Sequence, residues 1–260
     1  MSGLMKVNGF IKSLSAAGLR FTLALTGSAA RGELRNNSGL CDYTSDTDIL
    51  CIIDPKDINE VLSHKKQNFH TIPLILMSSE ALNHPSNAVL SINFDSLIEN
   101  QLKLSKPNFT GTSTAEFISY QAQPLAYYSA LLHQVTPTAQ RRLLSKTAIS
   151  CLKLLYLAHH LDRRSFVYEQ ELATYSFTDI SKKLTSDILN RELPDGRLRQ
   201  VAELLQNQVS QCRPLMNITN ALTSTALYFH YKQEPSREII EAVFLENNRM
   251  SRADALFLGK

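Results

Sequence analysis

Apolar positions change period several times along the first hundred or so residues. Residues 4–14 carry apolar side chains at every third or fourth position, which predicts a helix. Residues 21–25, Phe-Thr-Leu-Ala-Leu, read as a strand that runs into Gly27-Ser28, a turn followed by a helix start. Residues 48–53, Asp-Ile-Leu-Cys-Ile-Ile, are apolar almost without a break, the pattern of a strand covered on both faces. Pro55 opens a helix to about residue 66, because proline suits the first helical turn. Residues 72–77 form another apolar strand. Residues 88–95 alternate, with Leu90, Ile92 and Phe94 on one side and Ser91, Asn93 and Asp95 on the other, predicting a half-buried strand.

The segment 105–113 is rich in turn formers and reads as a linker. Beyond it the pattern is helical nearly throughout, with helices expected at 115–133, 138–161, 169–189, 196–212, 215–232, 237–245 and 252–258. Pro137, Pro194, Pro214 and Pro235 fall at the junctions. The expected fold class is α+β: a mixed sheet with flanking helices over residues 1–108, followed by an all-helical domain over residues 109–260.

Chemistry concentrates in two short runs, Leu25-Thr-Gly-Ser-Ala-Ala-Arg-Gly-Glu33 and Ser45-Asp-Thr-Asp-Ile-Leu-Cys-Ile-Ile53. Glycine at the end of a strand lets the backbone approach a ligand closely. The amides that follow it favour an anion, and Ser28 adds a hydroxyl, so Gly27-Ser28 reads as a cradle for a polyphosphate. Asp46 and Asp48 stand two apart at the start of a strand, so alternation puts both carboxylates on one face. Adjacent carboxylates repel unless a cation lies between them. Hard oxygen ligands together with substrate phosphates suit Mg²⁺. Asp95, on the polar side of its alternating segment, is the candidate third carboxylate, ahead of Glu99.

A Gly-Ser turn, then Asp-x-Asp, then a later carboxylate resembles the core signature of the DNA polymerase beta-like nucleotidyltransferase superfamily. The similarity covers roughly residues 21–96. The plan of a catalytic domain followed by helices is similar to aminoglycoside adenylyltransferases. The stretch between Gly32 and Ser45 is longer than the compact family loop. The resemblance implies transfer of a nucleoside monophosphate from an NTP, ATP favoured, to a hydroxyl, with release of pyrophosphate. It implies Mg²⁺, one ion or two, held by Asp46, Asp48 and Asp95. Phosphates would sit on Gly27 and Ser28, with Arg31 a further nucleotide contact or else a local cap. Asp95 would be a metal ligand or the general base.

Composition narrows the partners. No apolar run approaches the ~20 residues of a membrane-spanning helix, and the N-terminus lacks the apolar core of a signal peptide, so a cytoplasmic protein is expected. Cys41, Cys51, Cys151 and Cys212 are scattered without a CxxC pair, which fits neither a disulfide framework nor a zinc site. The net charge is +3, all of it in the second half, where residues 111–260 hold 17 basic and 14 acidic side chains. That balance disfavours a nucleic-acid track, including an RNA-tailing role, and points to a small-molecule acceptor that is neutral or anionic. A protein acceptor, as in a regulator or toxin–antitoxin component, and a non-catalytic nucleotide sensor are the alternatives. Between residues 141 and 164 there are six Lys/Arg and one acid. Arg142, Lys146, Lys153 and His160 share a helix side, and Lys146 is the candidate phosphate contact, with a solvated helix face as the bland reading. Tyr127, Tyr128, Tyr156, Tyr168 and Tyr175 could stack on a base, or serve as core and rim.

Overall fold

The computed structural model describes residues 3–30, 48–68, 74–79, 82, 92, 94, 97–115, 117–118, 121–122, 125, 128, 137–212 and 215. They are mixed α+β and fall into two compact units, one within residues 3–108 and one within residues 109–215. The helices expected at 215–232, 237–245 and 252–258 lie outside the described residues, apart from Leu215 itself. Among the described residues, no helix is long and apolar enough to cross a membrane.

The first unit is built on a four-stranded sheet. Helix α1 (Gly3–Ala16) leads into β1 (Phe21–Thr26), which runs directly into a single helical turn, α2 (Gly27–Ala30). Strand β2 (Asp48–Ile53) follows, then a 3-10 turn at Pro55–Asp57, α3 (Ile58–Asn68), β3 (Leu74–Ser78) and the short β4 (Glu99–Asn100). The strand order is β3-β2-β1-β4. β1 is antiparallel to both β2 and β4, whereas β2 and β3 are parallel, joined through α3 as a crossover must be.

Both faces of this sheet are buried, as the uninterrupted apolar run of β2 requires. Phe21 and Leu23 of β1 and Ile49, Cys51 and Ile53 of β2 pack with Val7, Phe10 and Leu14 of α1 and with Ile58 and Val61 of α3. The α1 contacts recur at spacings of three and four, which is why that helix lies flat on the sheet. Gly18, at φ +73, ends α1, where a left-handed residue lets the backbone turn into β1. On the other face, Leu50, Ile52 and Met77 pack with Leu82, and Ile92, Phe94, Leu102 and Leu104 rest against them.

The strand expected at 88–95 needs correction. Ile92 and Phe94 lie outside any strand, and the rest of that segment lies outside the described residues. The alternation of Leu90, Ile92 and Phe94 predicted a one-sided apolar surface, and Ile92 and Phe94 do meet the core. The ladder position beside β1 is instead taken by Glu99 and Asn100, which pair with Leu23 and Thr22.

The second unit is helical. Its described residues between 114 and 128 are helical, followed by α4 (Pro137–His159), α5 (Glu169–Thr174), α6 (Lys182–Asn190) and α7 (Asp195–Gln211). The 169–189 segment, expected as one helix, is two. Ser181 caps α6 by accepting from the Leu184 N–H (3.2 Å), while Phe177 and Ile180 of the intervening turn are buried. α4 and α7 pack together, α7 through Leu198, Val201, Ala202, Leu205 and Val209. Arg191, at φ 60, closes α6, and its guanidinium pairs with the nearly buried Glu169 of α5 (3.2 Å).

Phe10 is 1% exposed and anchors α1 on the sheet. Phe10→Ala is expected to destabilise the chain by about 3–5 kcal/mol, a loss of transfer energy plus a cavity. Chemical denaturation read by far-ultraviolet circular dichroism checks this; an unchanged midpoint would contradict the packing described.

Candidate active site at the end of β1 and β2

The register of β1 and β2 runs from Phe21 opposite Ile53 to Thr26 opposite Asp48. The first residue of β2 is thus paired with the last residue of β1, and Gly27 and Ser28 follow immediately as α2. The Gly-Ser turn and Asp48 therefore meet at one end of two adjacent strands, although some twenty residues separate them in sequence. Gly27 has φ +66, a left-handed conformation that any side chain would strain, so the sharp exit from β1 depends on glycine. With four residues, α2 is too short for a substantial macrodipole; whatever anion preference the turn has comes from its individual amides.

Of the other sequence-based candidates, Asp46, Arg31 and Asp95 lie outside the described residues. Glu99 does not join Asp48: it is paired with Leu23, and positions 23 and 26 belong to opposite faces of β1. Lys146 lies in α4 of the second unit, its Nζ 5.3 Å from the Tyr128 ring centroid. Among the described residues no group of three His, Cys, Asp or Glu is placed to hold a metal. Cys51 of β2 is completely buried, and burial pushes its thiol well above the ordinary value, so it serves neither as nucleophile nor as ligand.

Sequence reasoning passed over Thr26. It is 1% exposed, and its Oγ1 has no hydrogen-bond partner among the described residues. Thr22, two pleats earlier on the same face, donates from Oγ1 to Asn100 Oδ1 at 3.0 Å. A buried hydroxyl left unpaired costs about 1–3 kcal/mol, and Thr26 shares this condition with Thr147 and Thr185. Thr26 pairs with Asp48 across the strands, and oxygen-bearing residue types at one strand end are the kind a hard cation such as Mg²⁺ takes.

In the second unit, the run of positive charge around α4 is largely engaged in holding loops. Arg141 pairs with Asp195 and donates to the Leu193 carbonyl at 2.9 Å. Arg164 donates to the carbonyls of Thr112 (2.7 Å) and Leu161 (2.8 Å), fastening residues 112–114 to the turn after α4. Arg163 grips Glu171 with both terminal nitrogens (2.7 and 3.0 Å) and lies over the Tyr156 ring. Lys153 Nζ sits 4.2 Å above the Phe166 ring centroid. Tyr156 packs against His160 and edge-on to Tyr175, whose ring meets Phe177 in turn, an arrangement of mutual packing. Tyr168 is 40% exposed, and Tyr127 lies outside the described residues.

No protein-family model, curated protein or solved structure matches the chain.

The Arg163–Glu171 pair makes the second unit sensitive to acid. Partial burial pushes the Glu171 carboxyl up. The hydrogen bond from Arg163, the Tyr168 N–H and the charges of Arg163 and Lys153 outweigh this and hold it below its ordinary value. A carboxyl depressed on folding contributes stability above its unfolded pKa, and loses it as pH falls through the folded value. Glu171→Gln is therefore expected to lower the melting temperature at pH 7, and by less as the pH is taken down through the carboxylate range to pH 3. Equal effects at both pH values would contradict an ionic role.

Proposed function

We propose that the chain is a Mg²⁺-dependent nucleotidyltransferase of the polymerase beta-like kind, moving a nucleoside monophosphate from an NTP to a hydroxyl of a small-molecule acceptor. One observation carries the reading: Thr26 pairs with Asp48, so the Gly27-Ser28 turn and the second acid of the Asp-x-Asp run share one end of the sheet. A mixed sheet with helices against it, in a unit separate from a helical one, supports the same fold assignment.

In this reading the polyphosphate lies along the Gly27-Ser28 backbone, where the absence of a side chain at residue 27 allows close approach. Asp46 and Asp48 hold the cation and Asp95 completes the carboxylate set or accepts the hydroxyl proton. Bound there, Mg²⁺ would offset charge on the phosphate oxygens. The acceptor oxygen bonds to the α-phosphorus as the bond from that phosphorus to the pyrophosphate oxygen breaks. The proton leaves with the base and the electron pair with pyrophosphate, so the exchange is balanced without an oxidant or reductant.

Incubation with each NTP, Mg²⁺ and a metabolite pool, followed by mass spectrometry, is expected to give an acceptor heavier by one nucleoside monophosphate, with matching pyrophosphate. Asp48→Ala removes a stabilisation of several kcal/mol, which corresponds to about a hundred- to ten-thousand-fold loss of turnover. Pyrophosphate release undiminished in Asp48→Ala would refute the assignment. Labelling of a protein band instead of a metabolite would redirect it to a protein acceptor.

A further inference from the structure

We infer that Arg164 is the buckle of a strap: its guanidinium holds residues 109–114, the first of the helical unit, against the turn after α4, and the strap opens while the helices behind it stay packed.

Four hydrogen bonds leave this one side chain. Nε donates to the Thr112 carbonyl at 2.7 Å, and one terminal nitrogen donates to Thr114 Oγ1. The other terminal nitrogen donates to the carbonyls of Leu161 and Arg163, both at 2.8 Å. The guanidinium thus joins two stretches of chain 52 residues apart. Thr114 adds a direct tie, donating from Oγ1 to the Leu161 carbonyl at 2.9 Å. The guanidinium carbon also lies over the Phe117 ring, 5.8 Å from its centroid.

What lies on either side of the strap is held without Arg164. From Phe117 onward the chain is anchored by burial, Phe117 being 0% exposed and Ile118 2%. The turn that carries Arg164 closes on its own backbone, His160 N–H donating to the Leu157 carbonyl and Arg163 N–H to the His160 carbonyl. The strap itself buries little. Thr110, Gly111 and Ser113 are exposed, and open space surrounds the position where a side chain at residue 111 would stand. Its own backbone bond runs from Thr112 N–H to the Phe109 carbonyl at 3.0 Å. A segment with few apolar contacts and exposed backbone bonds opens at a lower free energy than the fold as a whole.

Arg164 also differs from the neighbouring arginines. Arg141, Arg163 and Arg191 reach the carboxylates of Asp195, Glu171 and Glu169. Arg164 spends its donors on three carbonyls and a hydroxyl. Bonds from a charged donor are stronger than neutral ones, and only a planar fork reaches acceptors on both sides at once. The strap therefore depends on the shape of the guanidinium as well as on its charge.

Hydrogen exchange of the full chain, resolved to single amides by nuclear magnetic resonance, tests this, with a melting curve of each variant. The Thr112 amide reports opening of the strap. The amide of Leu152, 0% exposed in α4, reports unfolding of the helices. Arg164→Lys keeps the charge and loses the fork, and Arg164→Ala loses both. Either is expected to speed exchange at Thr112 about tenfold or more while Leu152 stays as protected as in the parent. Thr114→Val removes the hydroxyl and keeps the arginine. It is expected to give a smaller rise at Thr112, and it decides the matter if neither arginine variant folds. Unchanged exchange at Thr112 in the deciding variant would overturn the inference. Thr112 and Leu152 accelerating together would overturn it as well, since Arg164 would then support the whole unit.

Discussion

Six residues of β1 pair with six of β2, and almost everything else in the first unit follows from that register. Because side chains alternate, the pairing sends Phe21, Leu23, Ile49, Cys51 and Ile53 to the helices and Leu50 and Ile52 to the opposite core. A slip of one residue would exchange the two sets and leave each core facing the wrong partners. The same constraint fixes what lies at the strand ends. With Thr26 opposite Asp48, the turn that must leave β1 at Gly27 does so beside the acid that opens β2. The juxtaposition of the Gly27-Ser28 turn with Asp48 is thus a by-product of correct core packing, fixed by the same register.

The second unit uses charge differently. Sequence alone shows basic residues crowded onto and after α4, which suggests a surface for phosphate. Arg141, Arg163 and Arg164 instead reach carbonyls and carboxylates of neighbouring loops, closing the turns between helices. A guanidinium presents five donors in a fixed fork, so a single arginine can satisfy several loop carbonyls that no helix or strand would pair. Net positive charge in a stretch of sequence therefore says little about a ligand until the partners of each arginine are known.

What could be read from the chain was whatever depends on local period and chain order. The buried strand at 48–53 and the long helix beginning at Pro137 were visible because their apolar spacing is unbroken over many residues. The 88–95 segment misled because alternation reports one-sided burial, which Ile92 and Phe94 satisfy without a ladder; which residues pair with β1 is decided by chain arriving from further on. The break between α5 and α6 turns on Ser181 as a cap and on burial of Phe177, neither of which disturbs a helical period. At the site, Gly27-Ser28 and Asp46-Thr-Asp48 stood out by type and spacing. Thr26 did not, since threonine is ordinary in a strand and only the register reveals which residue it faces.

The pair formed by Glu169 and Arg191 bears on how this sequence can drift. Each is nearly sealed from water, and Arg191 also closes its helix in a left-handed conformation. Losing either partner strands a charge in a poorly hydrated place, a change that costs about 3–5 kcal/mol, whereas exchanging both for apolar groups can be neutral. Descendants of this chain are thus expected to keep the two together or replace them together, with few lineages passing through the halfway state.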